Sequence, residues 1–469
     1  MNQAREVFES YNLFLMQDFT HLEQSSATSR EQEDEELVIH PQADRDNVSK
    51  ANHKPLLPLN ISDFNNSLRI MGLSSISMIG SEMLYCISDF ITMYYVGHMN
   101  DPVQIAAIGL GSVWSFAACL CFVFALDSGF STLASQAFGA KNFNKLSDLF
   151  HLSVVLYLVI LTPLCLALTF SENLFNLVGI NSDVSREANN YIIWNIPGYI
   201  CIVLFEVIAT MLRAQNIFSI GVYTQIFTSF LTWFLCHLFQ RVYNLGLIGF
   251  AMVKNINLFM NALILIIYVQ MKNPCPQVWK APWRNIKLIE LWTYFKELLS
   301  LGGSRYLDMV SWEINLLIVG MLGDSSITAA HSLITNISFW CYTIPLGISM
   351  TTDIYVGNSS GANNSYQAKL YSLASVSLNC VCLLIILTSL NLFDDTIINY
   401  YTEEPSINPI IHRMLQIYNL VFIPTSFVVI FSRILRGLRQ AQYVLYSSIF
   451  SQYLVGITIE YLLGVKIFK

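Results

Sequence analysis

Charge is scarce in this chain. Only 12% of its 469 residues are charged, about half the share of an average soluble domain, whereas 54% are hydrophobic. A chain of this length folded in water needs far more polar surface, so a soluble globular protein is excluded. Histidine is also sparse, 8 residues in all, and those within apolar stretches, His237 and His331 among them, form no paired or HExxH-like arrangement. An intramembrane enzyme, which needs a nucleophile with a base or a His/Asp cluster, is therefore not expected. No phosphate-binding loop is present, so ATP does not drive the protein directly. The 10 cysteines show no CxxC or Cys/His spacing, and Cys86, Cys119, Cys121, Cys201, Cys380 and Cys382 read as small apolar fillers. No apolar segment with a cleavage site opens the chain, so the first spanning helix is expected to direct insertion.

What is present is apolar sequence in blocks of about 20 residues, the length that crosses a bilayer. From Ile70 onward, spans are expected near 70–97, 104–130, 150–170, 190–212, 218–239, 246–270, 298–322, 327–350, 371–391, 413–435 and 443–464. An all-α polytopic membrane protein follows. Residues 1–65 carry the acidic run Glu31–Glu36 and then a His/Pro/Asn/Lys-rich stretch, and read as a disordered cytosolic tail. Basic residues gather in alternate loops, at Lys141, Lys145, Arg213, Lys272, Lys280, Arg284, Lys287, Lys296, Lys369, Arg433, Arg436 and Arg439. The other loops hold Asp101, Glu172, Asp183, Glu187, Asp324, Asp394, Asp395, Glu403 and Glu404. This asymmetry predicts a cytosolic amino terminus.

The chain repeats itself. Val96-Gly97-His98-Met99-Asn100-Asp101 with Ala106-Ala107 returns as Val319-Gly320-Met321-Leu322-Gly323-Asp324 with Ala329-Ala330, at an offset of 223. At nearly that offset Gly139-Ala140-Lys141-Asn142 meets Gly361-Ala362-Asn363-Asn364, and Leu212-Arg213 meets Leu435-Arg436. Two homologous halves, 66–271 and 298–469, are expected, joined by a cytosolic linker over 272–297. Six spans separate equivalent helices, so the halves insert in the same orientation. Internal repeats of this kind build secondary transporters, whose halves rock about a central site.

The same segments carry a family likeness. Ser135-Gln136-Ala137-Phe138-Gly139-Ala140, Ile344-Pro345-Leu346-Gly347, Val356-Gly357-Asn358 and Leu435-Arg436-Gly437 resemble motifs of the multidrug and toxic compound extrusion (MATE) family, eukaryotic type. The resemblance implies two pseudo-symmetric six-helix lobes. It also implies a secondary antiporter that exports organic cations or other amphipathic compounds in exchange for H⁺ or Na⁺, with no further cofactor. Implied partners are a small organic substrate and the lipid bilayer, without nucleic acid, for a monomer in the plasma membrane or an endomembrane such as the vacuole. The chain departs from the pattern in places. It ends at Lys469 after the eleventh span, so the last helix is expected to be missing. An acidic residue of the second-helix motif falls on Ser131, carboxylates of the eighth and tenth helices fall on Asn336 and Thr425, and the usual Arg before Val-Gly-Asn is Tyr355. A transport-deficient or lipid-flippase-like relative is the alternative.

Charges at membrane depth are costly and point to function or pairing. Asp308 and Glu313 in the seventh span diverge by roughly 140° and lie about 7.5 Å apart along the axis, so they can flank one cavity. In the family pattern this helix carries two carboxylates at that spacing. A proton and a cationic substrate competing for such carboxylates would couple an antiporter; Arg305 is the alternative partner of Asp308. Glu82, Tyr85, Asp89 and Thr92 share one face of the first span and suggest a cavity wall. Asp127 lies one turn before Ser131 and either replaces the absent carboxylate or sits at the rim. Glu206 is a binding residue or has a structural partner, Lys254 is expected to pair with a carboxylate, and Asp353 is expected to be solvated near a helix end. Pro163, Pro197, Pro345 and Pro424 bend spans. Tyr94, Tyr95, Tyr400 and Tyr401 are expected in interfacial belts, and Trp312 and Trp340 mainly in packing.

Overall fold

A computed structural model describes residues 60–463 except 100, 284, 321–324 and 402–407. Most of the expected tail, Arg284, Asp324, Glu403 and Glu404 therefore lie outside the described residues, as do the side chains of Tyr400 and Tyr401.

Eleven long helical segments stand where the apolar blocks predict them. They are α1 (Ile61–Gly97), α2 (Pro102–Gly139), α3 (Phe143–Leu168), α4 (Ser182–Ala214), α5 (Ser219–Val242), α6 (Gly246–Lys272), α7 (Leu288–Gly320), α8 (Ser325–Gly361), α9 (Ser365–Leu392), α10 (Asn408–Gly437) and α11 (441–461). No strand occurs among the described residues. Among the described residues, nine of these helices are long and apolar enough to cross a membrane. In α7 the apolar run is broken by Arg305, Asp308 and Glu313, and α11 is interrupted by the π-helical turns Ile449–Ile457.

Several helices overrun the expected spans, because hydropathy marks only the part inside hydrocarbon while capping extends the helix into polar surroundings. Asn60 accepts a hydrogen bond from the Ser62 amide, so α1 starts well before Ile70 and takes in the last residues assigned to the tail. At the other extreme, α2 and α8 continue to Gly139 and Gly361, about two turns or more past their expected ends. The four prolines lie inside α3, α4, α8 and α10.

The repeat is written into the backbone as well as the sequence. Lys141 (φ 55°) and Asn363 (φ 53°) both adopt the left-handed conformation, and the following Asn142 and Asn364 then cap α3 and α9 in the same way. Asn216 (φ 63°) and Arg439 (φ 62°) match likewise after α4 and α10. Left-handed Lys and Arg are uncommon, so their recurrence at equivalent points marks one turn used twice.

Two apolar cores are the largest of those among the described residues. The larger gathers α2 through α6, with Leu291, Tyr294, Leu298 and Leu301 from the first half of α7. The smaller joins α8, α9 and α10 with the short helix Asp394–Tyr401. The linker is packed on α3: Trp279 meets Phe150 at 5.1 Å between ring centroids, and Trp283 stacks on His151 at 4.4 Å.

Helices of the two cores meet at the end of the bundle that carries Lys141, Arg213 and Arg439, here termed the basic end. The Ser75 and Thr351 hydroxyls lie 2.8 Å apart, Gln136 donates to the Gly437 carbonyl (2.9 Å), and Asn358 donates to Asn216 (3.0 Å). Backbones touch there because side chains are missing: a Cβ on Gly139 would collide with the Asn358 carbonyl, and one on Gly361 with that of Gln136. Gly361→Ala is expected to weaken this seam by about 1–3 kcal/mol. Spin labels at Lys145→Cys and Ser365→Cys should then show a longer distance population across the basic end, and an unchanged distribution would mean that the seam tolerates the methyl group.

Candidate functional site

Ionisable side chains inside the helix bundle fall into two groups. The first belongs to α1, α2, α4 and α6. Asp127 is 8% exposed and accepts a hydrogen bond from Thr210 of α4 at 2.8 Å. It is therefore neither a rim charge nor, as shown below, the occupant of the space beside Ser131. Glu206 has the structural partner that was one of its two expected roles, an ion pair with Arg213 two turns along α4 (3.0 Å). The Arg213 charge also reaches Asp127 and Glu82.

Glu82, Tyr85 and Asp89 form the expected stripe on α1. Neither carboxylate makes a hydrogen bond or ion pair among the described residues, and Asp89 and Tyr85 are exposed. Glu82 faces charges from both sides of the bundle, Arg213 and Glu206 on one and Arg305 and Arg433 on the other. Lys254 of α6 lies 5.8 Å from the Tyr199 ring centroid and within electrostatic reach of Asp89. Its expected carboxylate partner is thus a longer-range neighbour, and the direct contact is a cation–π one. Tyr95 leaves the expected interfacial belt: it is buried with its hydroxyl 3.4 Å from His237, while Tyr94 is exposed.

The second group belongs to α7, α8, α10 and α11, and its centre was missed in the sequence. Asp353, expected to be solvated, has no exposed surface at all. It accepts hydrogen bonds from Ser131 (3.2 Å), Thr132 (3.3 Å) and Arg433 (3.4 Å). Hydropathy ends the eighth span near 350, whereas α8 runs to Gly361 and carries Asp353 between α2 and α10. One signal was available. The offset of 222 that carries Gly139 onto Gly361 also carries Ser131 onto Asp353. The carboxylate absent from α2 is thus supplied from the equivalent position of the other half.

Arg436, one turn from Arg433, is 2% exposed. It donates to Ser128 (3.0 Å) and Ser304 (2.8 Å), and Asp308 lies 3.8 Å away. Asp308 also accepts from Ser448 (3.1 Å) and Gln452 (2.8 Å) of α11. Its ion-pair partner is therefore Arg436 rather than Arg305. Burying an unpaired ion costs several kcal/mol, which explains why each of these charges collects hydroxyls and an opposite charge. Glu313, five residues on, makes no hydrogen bond or ion pair among the described residues and stands near Cys121 of α2. So the two α7 carboxylates take separate environments. A cavity of about 110 Å³ opens beside Arg305, Asp308 and Arg436, walled by Tyr342, Thr425 and Trp312, whose indole is 45% exposed rather than packed away. Asn336 is exposed and donates to the Ser332 carbonyl of its own helix. Among the described residues no group of three or more His, Cys, Asp or Glu is placed to hold a metal ion.

Known proteins resemble this chain in sequence and in fold. The MatE family model matches the chain twice, over residues 77–238 and 304–462. Multidrug and toxin extrusion protein 1 of Xenopus tropicalis is 23% identical over 412 residues, covering 86% of this chain and 69% of the relative. Protein DETOXIFICATION 17 of Arabidopsis thaliana is 26% identical over 395 residues, covering 83% and 82%. The crystal structure of the eukaryotic MATE transporter AtDTX14 superposes with a TM-score of 0.76 at 19% identity, over 86% of this chain and 90% of that one.

Asp353→Asn leaves Arg433 buried without its counter-charge and is expected to destabilise the protein by about 3–5 kcal/mol. Thermal unfolding of the purified protein in detergent measures this. The exchange Ser131→Asp with Asp353→Ser should recover most of the loss, because it returns a carboxylate to the same space from α2. A double variant no more stable than Asp353→Asn would refute the equivalence of the two positions.

Proposed function

Because the chain belongs to the MatE family and is a multi-pass membrane protein of eukaryotic MATE type, we propose that it is a secondary active antiporter. In this reading it exports amphipathic organic solutes, organic cations among them, in exchange for H⁺ or Na⁺ by alternating access. Residues 66–271 and 298–469 form the two lobes, with 272–297 as the linker. The basic end faces the cytosol, as the distribution of Lys and Arg favours, so the seam at Gly139 and Gly361 shuts the path on the cytosolic side.

The observation that carries this reading is the division of the carboxylates inside the helix bundle into paired and unpaired sets. Asp127, Glu206, Asp308 and Asp353 have hydrogen-bond or ion partners, and Glu82, Asp89 and Glu313 have none among the described residues. A carboxylate already matched to an arginine, as Glu206, Asp308 and Asp353 are, has little to gain from a proton or a guest cation, whereas Asp127 is bonded only to the Thr210 hydroxyl. An unmatched one gains most, so the exchangeable sites are Glu313, Glu82 and Asp89, with Asp308 holding Arg436 in place. When a proton occupies such a site, a cationic guest loses its counter-charge and leaves. The next guest displaces the proton in turn, and this competition couples the two gradients.

Glu313→Gln is expected to abolish efflux of a fluorescent organic cation from vesicles under an imposed gradient, with membrane insertion intact. Running the assay under a pH gradient and then under a Na⁺ gradient identifies the coupling ion. Efflux within about twofold of the unaltered protein would remove Glu313 from the cycle.

A further inference from the structure

The first turns of α7 are apolar on two sides. Leu291, Tyr294, Leu298 and Leu301 face the larger core. Leu288, Ile289, Trp292, Lys296 and Leu299 lie within about 100° of one another on the other side. All five are exposed, Leu288 by 80% and Ile289 by 67%. Leu288 nevertheless stands about ten residues, or 15 Å of helix, ahead of the span expected from 298. So large an apolar face calls for a cover. The charges around it identify the cover. Residues 272–297 hold Lys272, Lys280, Arg284, Lys287 and Lys296 against Glu290 and Glu297, a surplus of three positive charges. Glu297 is already taken by Arg439 at 3.1 Å. Lys280 and Lys287 are exposed and form no ion pair among the described residues, and the Lys296 ammonium lies 5.2 Å from the Trp292 ring centroid. Trp283, although stacked on His151, is exposed too.

From this juxtaposition of an uncovered apolar face with unpaired lysines, we propose that residues 280–299 are a docking surface for anionic phospholipid. Acyl chains cover Leu288, Ile289 and Leu299, and the head-group phosphates meet Lys280, Lys287 and Lys296. Indole settles at the depth of the head groups, where Trp283 and Trp292 then mark the boundary. A neutral lipid covers the apolar groups equally well but leaves the lysines without counter-charge, whereas an anionic one satisfies both at a single depth. The surface lies outside the transport path and does not depend on which ion or solute is moved. Its position has a mechanical use. The linker is fastened to α3 by Trp279 and Trp283, and α7 enters the larger core directly after it, so bound lipid holds the base of that core to the leaflet at the basic end.

Quenching of tryptophan fluorescence by brominated phospholipids tests the assignment on the full chain in vesicles, without requiring transport. The part due to Trp283 and Trp292 is the difference between the unaltered protein and the double variant Trp283→Phe, Trp292→Phe. Brominated phosphatidylglycerol is expected to quench that part as though enriched about fivefold over brominated phosphatidylcholine at equal mole fraction, the weight of one lysine at an anionic surface. Combining Lys280→Gln, Lys287→Gln and Lys296→Gln should abolish the preference, and combining Lys280→Arg, Lys287→Arg and Lys296→Arg should keep it. Equal quenching of the unaltered protein by the two lipids overturns the proposal, and so does a preference that the glutamine variant retains. Loss of the preference on adding soluble glycerol phosphate assigns the lysines to a free phosphate and overturns it as well.

Discussion

Most of what is specific to this protein depends on two buried arginines. Arg433 and Arg436 leave α10 one turn apart and enter a region with almost no access to water, where a bare charge is prohibitively costly. The structure meets that cost by bringing Asp353 from α8, Asp308 from α7 and Ser128 from α2 to the same place. Four helices are held in register by one electrostatic requirement. The close approach of α2 to α8 and α7 follows, and glycine makes it sterically possible: a Cβ at Gly302 would collide with the Ala125 carbonyl. Arginine pairing and glycine packing are thus two parts of one closure. The first supplies attraction and the second removes the obstacle to contact.

That closure divides the interior into regions of unlike character. On the α1 side, acidic residues face a lysine at a distance and two carboxylates remain without direct partners. On the α7 side, Arg305, Arg433 and Arg436 are balanced in number by Asp308, Glu313 and Asp353, and Arg305 and Glu313 have no direct partner among the described residues. Glu82 stands between the two and feels both. A molecule carrying charge, or an exchange between an ion and an organic guest, meets an interior whose acidic surplus lies to one side of a single helix bundle. Repeated backbone turns at 141 and 363 show that the halves began from the same plan. Their side chains have since diverged enough that equivalent positions hold Glu82 and Arg305.

The architecture was legible in the sequence because it depends on one-dimensional quantities. Apolar block length sets the helices, loop charge sets their alternation, and the 223-residue offset sets the repeat. The placement of individual charges was less legible, since it depends on which helices touch. Asp353 looked peripheral only because hydropathy stops at the membrane edge while hydrogen bonding carries α8 on to Gly361. Likewise Arg305 was the natural partner of Asp308 by spacing along one helix. Arg436, distant in sequence, takes that role because α10 crosses α7 at Ser304. Glu206 with Arg213 shows the opposite case: both belong to one helix, and the structural partner allowed by the sequence is there. Asp127 shows a third, a residue whose depth could be settled only by knowing that Thr210 lies across from it.

The mixed allegiance of α7 has a mechanical consequence. Its first half is built into the larger core through Leu291, Tyr294, Leu298 and Leu301, and the linker before it is fastened to α3 by two tryptophans. Its second half carries Asp308 toward α10 and α11. A swing of one core away from the other therefore loads α7 along its length. The adjacent Gly302 and Gly303, where the rod is thinnest and least stiff, are its natural fulcrum, and the charged stretch from Arg305 to Glu313 rides on the lever arm just beyond.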